Sequence, residues 1–127
     1  MLSLSNNSLL QVPSKNALKG LKSVEALHLS HNNIILLKTG DFDLFPKLKR
    51  LYLDSNKIAV IETSAFQNLA MLNDLDLSGN KINRLNRHRF DTLDELEKLD
   101  LSENSLKFVE NNVFTHLKNL KDLDLSK

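Results

Sequence analysis

The chain has 127 residues, 41% hydrophobic and 26% charged, with 17 basic against 16 acidic side chains and no cysteine. This suits a single packed domain and excludes a disordered chain. A balanced charge offers no global field for nucleic acid or an anionic membrane, no apolar run approaches a bilayer span, and the missing thiols exclude disulfides, zinc fingers and thiol catalysis within these residues.

The first predicted element is a strand near Ser3, in MLSLS. This opening lacks a basic segment and a long apolar segment, so no signal peptide is visible. Asn6-Asn7-Ser8 follows and fits the N-x-S acceptor pattern, which makes Asn6 an N-glycosylation candidate in a secreted parent. Further strands are expected near His28, Tyr52, Asp76, Asp100 and Asp124, each with leucines alternating with polar residues. That period of two marks a strand with one buried face. Strands recurring once per interval in the same direction stack as a parallel sheet.

The interval is set by Asn7, Asn32, Asn56, Asn80 and Asn104, spaced 25, 24, 24 and 24 residues apart. Each stands three residues after a leucine (Leu4, Leu29, Leu53, Leu77, Leu101), and an aliphatic follows two residues later (Leu9, Ile34, Ile58, Ile82, Leu106). A phenylalanine column, Phe42, Phe66, Phe90 and Phe114, completes the unit, with Leu18 in that place in the first repeat. Fixing one unit costs roughly 1–2 kcal/mol per residue in backbone entropy, more than its few buried side chains return, so the unit is stable only when stacked. An asparagine amide both donates and accepts, so the column reads as a structural ladder satisfying backbone groups of its own and adjacent repeats. The phenylalanines read as filling on the opposite side of the coil.

These columns form the pattern L-x-x-L-x-L-x-x-N-x-L, which resembles the leucine-rich repeat family. The 24-residue period and the Phe column are similar to its typical subtype, found in Toll-like receptor ectodomains, neuronal adhesion and guidance proteins and small leucine-rich proteoglycans. The resemblance implies an α/β-type solenoid: a right-handed curved coil with a parallel sheet on its concave face and a mostly irregular or short-helical convex side. It implies one array over residues 1–127, about five repeats plus a sixth strand. The chain begins and stops on strands without capping repeats and is read as an uncapped fragment of a larger ectodomain, with self-association through its ends.

No catalytic constellation is found. The glycines form neither a phosphate loop nor a dinucleotide fingerprint, and G-x-S-x-G is absent. His28 and His31 lack a third metal ligand, and Asp76, Asp100 and Asp124 read as solvated positions one strand apart, so neither metal nor cofactor is assigned. The expectation is a non-catalytic module that recognises a protein ligand or co-receptor, without nucleic acid or membrane contact. The resemblance places it in an extracellular or cell-surface receptor of innate-immune or adhesion type; a matrix glycoprotein and a cytoplasmic adaptor are the alternatives. The exposed strand positions of the later repeats follow a repeating D-x-S pattern. The second and third repeats depart from it, and His28, Arg50, Tyr52 and Asp54 are the ligand-binding candidates. A second candidate surface is a lateral apolar patch of Ile35, Leu36, Val60 and Phe108, just past the asparagine turns.

Overall fold

A computed structural model describes residues 1–127 and contains ten short strands. These are β1 Leu2–Ser3, β2 Ala26–His28, β3 Leu36–Leu37, β4 Arg50–Tyr52, β5 Val60–Ile61, β6 Asp74–Asp76, β7 Arg84–Leu85, β8 Lys98–Asp100, β9 Phe108–Val109 and β10 Asp122–Asp124. Six of them form one sheet in the order β1-β2-β4-β6-β8-β10, every neighbour parallel. All six strands expected from the leucine alternation are present. Leu27, Leu51, Leu75 and Leu99 are register partners and all are buried, so the apolar face of each strand meets its equivalent one repeat away.

The pairing runs past the strands into the turns. Leu29 N–H donates to Tyr52 O at 2.8 Å and His31 N–H to Asp54 O at 3.1 Å, and the later repeats do the same. The residue before each asparagine of the column then turns left-handed: Asn6, His31, Ser55, Gly79 and Glu103 have φ between 53° and 62°. Only one of the five is glycine; asparagine tolerates this region, but His31, Ser55 and Glu103 are strained by a Cβ that this backbone disfavours. Glu103→Asn should therefore stabilise the chain by about 1 kcal/mol, and Gly79→Ala should destabilise it by about as much. A Cβ at Gly79 would meet Ser55 only at ordinary van der Waals distance, which isolates the backbone effect. Urea midpoints that move in the same direction for both variants would contradict this reading.

On the opposite side the chain returns through four-residue turns, as in Phe45 N–H to Phe42 O and Leu48 N–H to Phe45 O, both 3.0 Å. There is no helix, so the convex side is the irregular one of the two expected forms. The phenylalanine column is a continuous stack with ring centroids 6.1, 6.0 and 6.2 Å apart. Phe42, Phe66 and Phe90 are buried, while Phe114 is only partly covered. At the two ends of the sheet Leu2 and Leu4 are half-buried, and Leu123 and Leu125 are 38% and 41% exposed.

On the flank past the asparagine turns, β3 pairs with β5 and β7 with β9. These strands join adjacent repeats a second time, which the column spacing alone does not announce.

Candidate functional site

The asparagine ladder fixes where each strand ends. Asn32, Asn56, Asn80 and Asn104 are buried, and their side-chain oxygens accept from Leu9, Ile34, Ile58 and Ile82 N–H of the preceding repeat at 2.9–3.0 Å. Each amide also donates to two strand-end carbonyls, one in its own repeat and one in the repeat before; Asn56 reaches Leu53 O and Leu29 O. Asn7 holds the position without the inter-repeat bonds: it is exposed and donates only to Leu4 O and Ser5 O.

With the strand ends fixed, outward side chains fall into columns. Ala26, Arg50, Asp74, Lys98 and Asp122 share one register, and His28, Tyr52, Asp76, Asp100 and Asp124 the next. In the later repeats the second column is self-contained. Asp76 accepts from Ser78 N–H at 2.9 Å and from its hydroxyl at 2.6 Å, and Asp100 does the same with Ser102. The D-x-S pattern is thus a local turn closure, which explains its recurrence. No group of three or more potential ligands is arranged to hold a metal ion.

Asp76 nevertheless sits uneasily. Burial pushes its carboxyl above the usual range, the Ser78 hydrogen bonds oppose this, and the charges of Asp54 and Asp100 add to it. A raised folded-state value favours folding below the unfolded value, and that advantage is lost as pH rises through the folded one. Asp76→Asn keeps an oxygen for Ser78 and removes the charge. It should be more stable than the parent at pH 7, with the difference shrinking on acidification; thermal melts from pH 7 to pH 3 showing a constant difference would contradict this.

In the second and third repeats the columns hold different chemistry. The rings of His28 and Tyr52 pack with centroids 4.7 Å apart and planes tilted by 36°. The Tyr52 hydroxyl donates to Asp74 Oδ2 at 3.2 Å. Burial and then the Asp74 charge raise its pKa, so it stays a protonated donor. Arg50, two residues before Tyr52 and exposed, makes neither a side-chain hydrogen bond nor an ion pair. Asp54 lies beyond the strand end, where it accepts the Ser30 hydroxyl at 2.5 Å and stands 3.9 Å from His31 Nε2. The four candidates therefore share a face: His28 and Tyr52 touch, Arg50 flanks them without a partner, and Asp54 is held by Ser30 and His31. Asp74 and Ser30 were not singled out by sequence reasoning, because their roles depend on the side chain one repeat away.

The lateral candidates divide. Ile35 and Val60 are exposed and Leu36 is half-buried, all on or beside the β3–β5 pair. Phe108 lies on β9, where the Arg84 guanidinium covers its ring at 4.9 Å from the centroid. Arg84 thus separates Val60 from Phe108, and the four residues do not form one continuous patch. Asn6 is exposed on the turn after β1.

A family model described as leucine rich repeat matches residues 1–58, 46–106 and 87–127, and so spans the chain. No curated protein gives a significant match. Among solved structures 238 chains match. One, from a crystal structure of a TLR13–ssRNA13 complex, superposes with a TM-score of 0.87 at 38% identity. That similarity covers 98% of this chain but 17% of the other, so the chain spans about a sixth of that receptor's length.

Proposed function

The chain belongs to the leucine-rich repeat family, and from that premise we propose that it is a non-catalytic recognition segment of an extracellular receptor of Toll-like or adhesion type. Its ligand is a protein, held on the concave sheet at His28, Arg50, Tyr52 and Asp54. The observation that carries this reading is the packed His28–Tyr52 pair beside an unpaired Arg50. These positions break a repeat that otherwise closes its aspartates on its own serines. Tyrosine and arginine supply an amphipathic ring and a planar fork, the groups most enriched at binding hot spots.

The TLR13 structure holds single-stranded RNA. Here the concave hollow beyond Tyr52 is lined by Asp74, Asp76, Asp100, Asp122 and Asp124 against one cation, Lys98. Such a row repels a phosphate backbone, which favours a protein ligand. On this reading Asn6 carries a glycan and the half-covered end leucines of β1 and β10 meet further repeats or a second copy.

Selecting a displayed random-peptide library on the chain supplies binders whatever the natural ligand is. Arg50→Ala and Tyr52→Ala should each weaken the selected peptides by at least about tenfold, whereas Phe108→Ala should not. Binding that survives both concave substitutions and is abolished by Phe108→Ala would move recognition to the flank.

A further inference from the structure

The flank pairing is interrupted twice: between the first and second repeats, where Lys38 N–H turns to Asp41 Oδ2, and between the third and fourth. β5 and β7 belong to neighbouring repeats but do not pair, although β3 pairs with β5 and β7 with β9. Where pairing holds, Ala59 N–H donates to Ile35 O at 3.0 Å and Glu62 N–H to Leu37 O at 2.9 Å; Lys107 and Glu110 N–H reach Asn83 O and Leu85 O in the same way. The equivalent N–H groups of Asn83 and Asn86 donate to no protein atom. The opening is local: β4 pairs with β6, Phe66 stacks on Phe90, and Lys81 N–H reaches Ile58 O at 2.9 Å between the same two repeats.

The result is a cleft of about 160 Å³. Val60 gives it an exposed apolar wall with the buried Ile61 and Leu85 as its floor, and Asn86, Arg84 and Arg89 give it a polar rim. Neither arginine has a carboxylate partner. Arg84 lies over the Phe108 ring, and Arg89 donates to the Thr63 hydroxyl at 2.6 Å. No acid lines the cleft, and the carboxylates that follow β5 and β9 are engaged: Glu62 accepts from Thr39 N–H and Glu110 from Arg87. Two free backbone donors and two arginines without carboxylate partners thus border the hollow, with Arg84 resting on Phe108 and Arg89 on Thr63. A dry cavity of roughly 150 Å³ is large enough for a benzene ring.

We propose that this cleft binds a small amphiphilic anion, a carboxylate or phosphate monoester carried on a compact apolar body. The Asn83 and Asn86 N–H groups and the two arginines hold the anionic oxygens. Val60, Ile61 and Leu85 cover the apolar part. The site is separate from the concave face and does not rest on the reading of that face.

Amide-resolved NMR titration of the chain with phenyl phosphate, benzoate, benzyl alcohol and inorganic phosphate tests it. The expected result is saturable shifts at Asn83 and Asn86 with phenyl phosphate and benzoate, and none with benzyl alcohol. Inorganic phosphate should bind at least tenfold more weakly than phenyl phosphate, and the tighter of the two aromatic anions identifies the preferred head group. Arg84→Gln and Arg89→Gln, both at accessible positions, should each weaken binding tenfold or more while the circular dichroism spectrum is unchanged. Absence of saturable shifts at those amides, equal affinity for inorganic phosphate, or undiminished binding by the double variant would overturn the assignment.

Discussion

Phe66→Ala should lower the free energy of unfolding by about 3–5 kcal/mol. Phe66 is 1% exposed and stacks between Phe42 at 6.1 Å and Phe90 at 6.0 Å. Deleting its ring removes the transfer energy of a buried aromatic and leaves a hollow. The rings on either side cannot close that hollow, because each is fixed by its own turn and by the sheet beneath it. Phe114 has a ring on one side only and is partly covered, so Phe114→Ala should cost distinctly less. Equal losses for the two in urea unfolding would show that the stack does not act as a continuous column.

Asn56→Leu should cost about 1–3 kcal/mol. The loss is located by the ladder's redundancy. Leu29 O and Leu53 O, the carbonyls that Asn56 serves, also accept from Asn32 and Asn80 respectively. Ile34 N–H has no second acceptor and would be left buried and unpaired. One orphaned donor therefore sets the scale. Asn68 lies off the ladder but is a poor control, since it has φ 69° and donates to Asp43. Asn16, exposed and without a side-chain hydrogen bond, is the suitable one: Asn16→Leu should change stability by no more than about 0.5 kcal/mol. Comparable losses for Asn16→Leu and Asn56→Leu in denaturant melts would show that the ladder does not hold the repeats together.

The fold was legible because each column repeats a single physical requirement. Leucines three residues before the asparagines had to be buried beneath a parallel sheet, and Leu29, Leu53, Leu77 and Leu101 are, with Leu4 half-buried at the end. The asparagines had to serve two repeats, and four of the five do. What escaped sequence reasoning depends on differences between neighbouring repeats. The left-handed column is occupied by Asn, His, Ser, Gly and Glu, so no shared residue type announces it. Asp74 becomes the acceptor for Tyr52 only because the next repeat places it within reach of the hydroxyl. The cleft lies where the third and fourth repeats omit two flank backbone bonds, as the first and second also do at Ile35 and Lys38, and this leaves no mark in the spacing. The concave candidates could be named because departure from a repeated pattern is itself a sequence signal, whereas the contacts among them are not.

The repeat carries the architecture, and on the reading proposed above the residues departing from it on the concave face carry recognition. Amide NMR shifts on adding a selected peptide to the intact chain test this most directly. The expected shifts centre on His28, Arg50, Tyr52, Asp54 and Asp74, with little change at Asp100 and Asp124. Shifts confined to Ile35, Leu36, Val60 and Phe108 would contradict it.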